Sequence, residues 1–232
     1  MTNMAKNFFA AESAENYEQK CLCVLVLDVS GSMRGEPIRE LNNGLKEFYN
    51  EILNDSTTSQ RLELCIMTFN QMVSIIQEPA LVENFTMPTL NAEGSTAMVD
   101  AVFEAIDLVA ARKQWYKETG QNYYRPWIIL MTDGEPDDGQ DVYGLAARIK
   151  EDMEAKRYVF MSVGIEDANM NTLQILQGEG KTPAKMKGLK FKQFFKWLSA
   201  SFDAVTKADV EDVDNMVAGA TGESGWMDSF TI

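Results

Sequence analysis

"CLCVLVLDVSGSMRGEPIREL", residues 21–41, is the stretch on which the fold turns. From Cys21 to Leu27 the run is apolar without a polar break, as a strand buried on both faces requires, and it stops on Asp28. Ser30 and Ser32 follow in a short loop, and Ile38, Leu41, Leu45, Phe48 and Ile52 then recur at helical spacing. A strand that passes through a loop into an amphipathic helix opens an α/β unit.

Outward from that stretch the theme repeats. "LELCIMTF" and "MVSIIQ" read as two strands joined near Asn70 and Gln71, short enough for a hairpin, so one edge strand is antiparallel. "NAEGSTAMVDAVFEAIDLVAARK" reads as a loop and then a helix with Met98, Val102, Ile106 and Val109 facing inward. "PWIILMTDGEPDDGQD" is a second apolar run ending on an aspartate, Asp133. A helix near 141–156, the strand "YVFMSVGI", a short helix near Met170 to Leu176 and a last amphipathic helix in "LKFKQFFKWLSASFDAV" complete the series. Each parallel connection needs a crossover. The alternation therefore predicts a doubly wound α/β fold, with a mostly parallel central sheet, one antiparallel edge strand and helices on both faces. The division is an N-terminal extension over 1–19, one domain over 20–206 and an acidic tail over 207–232, which has too little apolar patterning for a core.

Composition narrows the function. The 35 acidic against 21 basic residues leave a formal charge of −14, the wrong sign for non-specific contact with nucleic acid or anionic lipid. No run of 18 apolar residues suggests a membrane span, and the first twenty residues lack a signal-peptide core, which places the protein in the cytoplasm. Cys21, Cys23 and Cys65 lie in apolar runs and read as small buried hydrophobes, since no histidine exists to complete a mixed zinc site.

In an open α/β sheet, ligands gather beyond the carboxyl ends of the strands where the strand order reverses. Asp28 and Asp133 each lie just past a strand, Ser30 and Ser32 are in the first loop, and Thr96 is in the loop "EGSTAM" before a helix. Five oxygen side chains can meet there. Such a set suits a hard divalent cation, Mg²⁺ above all with Mn²⁺ as an alternative. Hydroxyls add no charge, so the ion would stay electrophilic toward an incoming carboxylate.

"DVSGS" at Asp28 to Ser32, the threonine of "GSTAM" and the aspartate of "MTDGEPDD" resemble the metal-ion-dependent adhesion site of von Willebrand factor type A (vWA) domains, D-x-S-x-S with a later Thr and Asp. With "YVFMSVGI" and "GLKFKQFFKWLSASF", the chain from about 20 to 206 is similar to the bacterial tellurium-resistance TerY type of that family. The resemblance implies that Ser30 and Ser32 ligate the metal directly, Thr96 directly or through water, and Asp28 and Asp133 mainly through water. It leaves the sixth position to a Glu or Asp of a partner protein. It implies binding without catalysis, and partners that include a Ser/Thr kinase and a PP2C-like phosphatase in stress, tellurite or phage-defence settings.

Two alternatives stand beside that reading: an enzyme that transfers phosphoryl groups with the same Mg²⁺, and a structural scaffold whose site stays empty. Against a haloacid-dehalogenase-like phosphatase, the second Asp of D-x-D is Ser30; against a P-loop, the first glycine before "GEGKT" is Ile175. Other features read more plainly. Asp137, Asp138 and Asp141 are solvated carboxylates leading into a helix, outside the site. "KQWYKETGQNYYRPW" reads as a partly packed loop, and the lysines at 181, 185, 187, 190, 192 and 196 as a solvated helix face. In the tail, Trp226, Met227 and Phe230 surround Asp228, a candidate docking motif whose carboxylate is able to cap the metal of its own or another copy.

Overall fold

The computed structural model describes residues 16–207 together with 228 and 231. Its elements follow in the order β1 (Cys21–Asp28), α1 (Glu36–Asn54), α2 (Thr58–Arg61), β2 (Leu62–Phe69), β3 (Val73–Leu81), α3 (Met98–Thr119), β4 (Trp127–Thr132), α4 (Val142–Glu154), β5 (Val159–Gly164), α5 (Met170–Gln177), β6 (Ala184–Lys185) and α6 (Phe191–Lys207). The sheet order is β3-β2-β1-β4-β5-β6, parallel throughout except for β3, which runs antiparallel to β2. This is the doubly wound sheet with one antiparallel edge that the alternation predicts.

Because successive side chains of a strand point to opposite faces, β1 feeds two cores at once. Cys21, Cys23, Leu25 and Leu27 pack under α1 and α6, while Leu22, Val24 and Val26 pack under α3, α4 and α5. Every residue of β1, β2, β4 and β5 is buried, and β3 alternates between half-buried and exposed from Val73 to Glu78, as an edge strand does, before Pro79 and Leu81 turn inward. The three cysteines are free and buried, and burial pushes the Cys21 thiol up to about 12.

The layer under α1 and α6 contains a close approach. A Cβ on Gly44 would lie 2.8 Å from Phe195 Cδ2 and 2.9 Å from Phe191 Cβ. Phe191 Cβ cannot yield without moving α6. Gly44→Ala is therefore expected to cost about 1–2 kcal/mol, overpacking outweighing the gain in helix propensity. A lowered midpoint in urea denaturation checks it; an unchanged or raised midpoint would show that the two helices separate freely.

Two local readings change. The segment "KQWYKETGQNYYRPW" is not a loop over its first half: α3 continues to Thr119, and Gly120, at φ 73°, ends it. Trp115 and Tyr116 are buried, Tyr123 stacks on Tyr116 with ring centroids 5.0 Å apart, and the Arg112 guanidinium covers the Trp115 ring at 4.1 Å. Aromatic residues do not stop a helix, so a face supplied with partners carries on to the first glycine. The six lysines likewise do not share one helix: Lys192 and Lys196 lie on α6, Lys185 is in β6, and Lys181, Lys187 and Lys190 lie outside any helix.

Candidate metal centre

The strand order reverses between β1 and β4. The chain builds β2 and β3 on one side of β1, then crosses to β4 on the other, which leaves a crevice at the carboxyl ends of β1 and β4. Asp28 ends β1 and is fully buried there. Its Oδ1 accepts the Ser30 N–H at 2.8 Å and its Oδ2 accepts the Thr132 hydroxyl at 2.5 Å, so one oxygen is fixed from the loop that follows β1 and the other from the neighbouring strand β4. Ser30 Oγ and Ser32 Oγ are 2.9 Å apart, and the Ser32 hydroxyl donates to Asp133 Oδ1 at 2.7 Å.

Thr96 arrives from another direction. A methyl placed on Gly134 would sit 3.7 Å from Thr96 Oγ1 and 3.9 Å from Asp28 Oδ2, so the glycine keeps a gap that both oxygens border. The Thr96 loop is tied on three sides. Ala97 N–H donates to the Asn70 carbonyl at 2.7 Å, Glu93 N–H to the Val29 carbonyl at 2.8 Å and Gly31 N–H to the Gly94 carbonyl at 2.9 Å. All five residues singled out in the sequence, Asp28, Ser30, Ser32, Thr96 and Asp133, are thus brought to one crevice.

Three further residues shape it. Thr132, buried on β4, orients Asp28 and accepts the Gly134 N–H at 3.1 Å. Asp137 braces Thr96 from both ends: its Oδ2 accepts the Thr96 N–H at 3.0 Å, and its own N–H donates to the Thr96 carbonyl at 3.0 Å. Gln140 donates to that carbonyl at 2.7 Å and accepts the Val99 N–H at 2.7 Å. Asp137 is exposed, as a solvated carboxylate should be, yet it positions the loop and is more than a helix-leading charge. Asp141 caps α4 by accepting the Gly144 N–H at 2.8 Å.

The electrostatics are lopsided. Burial pushes the Asp28 carboxyl up to about 6 against the lowering pull of Thr132 and Ser30, and burial also raises Asp133, which the Ser32 hydroxyl partly offsets. Among the described residues no Lys or Arg pairs with either carboxylate within 4.0 Å. Two clustered carboxylates, one of them buried, with three hydroxyls and a glycine-kept gap fit a hard divalent cation, which would supply the missing positive charge. Among the described residues no group of three or more Cys, Asp or Glu offers a rival centre.

A family model described as von Willebrand factor type A domain matches residues 23–195. The chain belongs to that family. The matched span of this vWA chain contains all five crevice residues and runs from β1 into α6. Among solved structures it is similar to the ArnB paralog VWA2 from Sulfolobus acidocaldarius, at 17% identity and TM-score 0.51, covering 79% of this chain and 45% of that one. It is also similar to the pilus adhesin SpaC from Lactobacillus rhamnosus GG in its open conformation, at 13% identity and TM-score 0.61, covering 81% and 31%. The PilB minor pilin from Streptococcus sanguinis is matched at 11% identity and TM-score 0.55, covering 81% and 62%. These likenesses concern the fold, and this vWA chain spans less than two thirds of each of the three. No curated protein matches it significantly. Among the described residues no helix is long and apolar enough to cross a membrane.

Proposed function

We propose that this vWA chain is a divalent-cation-dependent protein-interaction module. Ser30, Ser32 and Thr96 would hold Mg²⁺, or Mn²⁺ in its place, with Asp28 and Asp133 behind them through water. The bound ion supplies an electrophilic point for an Asp or Glu carboxylate of a partner protein. The observation that carries this reading is the crevice itself: two carboxylates without a cationic partner among the described residues, grouped with three hydroxyls at the switch point of the sheet. The chain's own groups do the positioning. Thr132 and the Ser30 amide fix Asp28, Asp133 orients the Ser32 hydroxyl, and Asp137 with Gln140 hold the Thr96 loop in place.

The resemblance to the TerY type supports a setting in a bacterial stress, tellurite-resistance or phage-defence system, with a Ser/Thr kinase and a PP2C-like phosphatase as partners. The module would be residues 20–206, flanked by the 1–19 extension and the acidic segment from 207. The free buried cysteines suit a cytoplasmic home. The overall charge of −14 opposes an acidic partner only weakly, since at ~0.15 M salt charges beyond ~8 Å are screened and a contacted ion dominates.

The test is an affinity capture from the native host in Mg²⁺ and in EDTA, with the full chain and with Thr96→Ala. A partner retained by the full chain only in Mg²⁺, and lost by Thr96→Ala, is the expected result. A partner retained equally in EDTA and by Thr96→Ala would place recognition elsewhere on the molecule.

A further inference from the structure

At the edge opposite β3 the sheet ends in β6, two residues long. The outer side of such a strand is a row of backbone donors and acceptors that invites another strand. Here it is taken by residues distant in sequence. Thr182 N–H donates to the Thr231 carbonyl at 3.1 Å and Thr231 N–H donates back to the Thr182 carbonyl at 3.2 Å, the reciprocal exchange of an antiparallel pair. Three residues along, in opposite directions on the two segments, Asp228 N–H donates to the Lys185 carbonyl at 3.0 Å. The Asp228 carboxylate lies 3.2 Å from Lys187 Nζ, so this aspartate is engaged at the β6 edge and does not cap the metal centre of its own chain. Its neighbours Trp226, Met227 and Phe230 lie outside the described residues.

The two segments are of opposite sign. The sequence around the edge carries Lys181, Lys185, Lys187 and Lys190, whereas after residue 207 it has Asp209, Glu211, Asp212, Asp214, Glu223 and Asp228 and no Lys or Arg.

We propose that the outer edge of residues 182–187 is a strand-docking site for an acidic extended segment. In this chain the segment bearing Asp228 and Thr231 fills it, and the same segment of a second copy takes it when that contact is released. The backbone bonds give the affinity, because pairing of this kind needs no particular side chain. The Lys187–Asp228 pair is about half exposed on both sides, so it selects the sign of the incoming strand more than it tightens the contact. Exchange between two copies would join them through the same antiparallel contacts. The edge lies two strands beyond β4 in the sheet order, so it can be perturbed separately from the metal centre.

The experiment uses the full chain and a fluorescein-labelled peptide of residues 223–232 added in trans. Thr231→Pro removes the amide that bonds Thr182 and releases the edge; Asp228→Lys releases it by repulsion from Lys187 and serves as the second variant. The peptide is expected to bind either release variant at least about tenfold more tightly than it binds the unaltered chain, whose edge is already filled. Adding Lys187→Glu to the Thr231→Pro chain should weaken the peptide several-fold, and a peptide carrying Asp228→Lys should regain it. Equal binding to released and unaltered chains overturns the proposal. So does the absence of binding to both release variants while hydrogen exchange shows their sheets still protected, and so does a charge-swapped pair that fails to recover.

Discussion

Arg112→Ala is expected to destabilise the domain by about 3–5 kcal/mol, the largest effect of any single substitution considered. Glu63 is the one charged residue in β2, and its side chain is only 5% exposed. It is tolerated because Arg112, on α3 and 1% exposed, meets it with two parallel bonds, Nε to Oε2 at 2.9 Å and Nη2 to Oε1 at 2.8 Å, while the Tyr116 hydroxyl donates to Oε2 at 2.5 Å. Removing the arginine leaves a carboxylate in the core with a phenol as its remaining close donor, and the more distant field of Lys20 then offsets only part of the desolvation of that charge. The same Glu63 pushes the Tyr116 phenol, already raised by burial, higher still.

The pair also makes the converse expectation specific. A combined Glu63→Leu, Arg112→Met and Tyr116→Phe variant, which retires the charges and the hydroxyl together, should recover most of the lost stability, because desolvating a buried ion pair offsets much of its attraction. Urea denaturation of the single and combined variants decides it. An Arg112→Ala variant within about 1 kcal/mol of the parent would show that water reaches Glu63 and that the pair is not dry.

Saturating Mg²⁺ is the second expected result. A ligand that binds the folded state alone, at a hundred times its dissociation constant, adds about 2.7 kcal/mol of stability. In a domain of this size that corresponds to a rise in Tm of roughly 5–10 °C over the same chain in EDTA. Ser32→Ala is the sharp control. Ser32 is exposed, so its loss should leave the Tm in EDTA within a degree or two, and water can replace it as donor to Asp133. The Mg²⁺-dependent rise should nonetheless shrink or vanish, because the variant lacks one of the three hydroxyls of the crevice, the one that joins Ser30 to Asp133. A rise that is identical in the parent and in Ser32→Ala would move the cation to another site; no rise in either would remove the cation from the account.

Much of this was legible in the sequence for a local reason. A strand buried on both faces announces itself as an unbroken apolar run, and the polar residue that ends it is the residue delivered to the sheet edge; Asp28 and Asp133 were both visible in this way. The hydroxyls of Ser30 and Ser32 follow Asp28 so closely that the loop cannot carry them far. Thr132 was hidden because its role depends on a partner 104 residues away, and a threonine at a strand end otherwise reads as ordinary strand composition. Asp137 and Gln140 were hidden for a similar reason, since they brace a loop 41 and 44 residues distant. The aromatic segment after Arg112 has the composition of a loop, yet no helix-stopping residue precedes Gly120, and the partners that keep it helical are supplied only by the fold.

By itself, then, the sequence determined the order of the five longer strands and of the longer helices, though neither α2 nor the two-residue β6, together with the face each side chain takes along a strand and the oxygens that trail the ends of β1 and β4. Those are set by periodicities of two and 3.6 residues and by chain connectivity. Only the tertiary structure decided that β4 lies beside β1, which makes Asp28 and Asp133 neighbours across 105 residues; that Arg112 meets Glu63; and that Asp228 returns to Lys187 at the far edge. Parallel pairing through crossovers places strands by how they pack, and no local pattern records which distant strand becomes the neighbour.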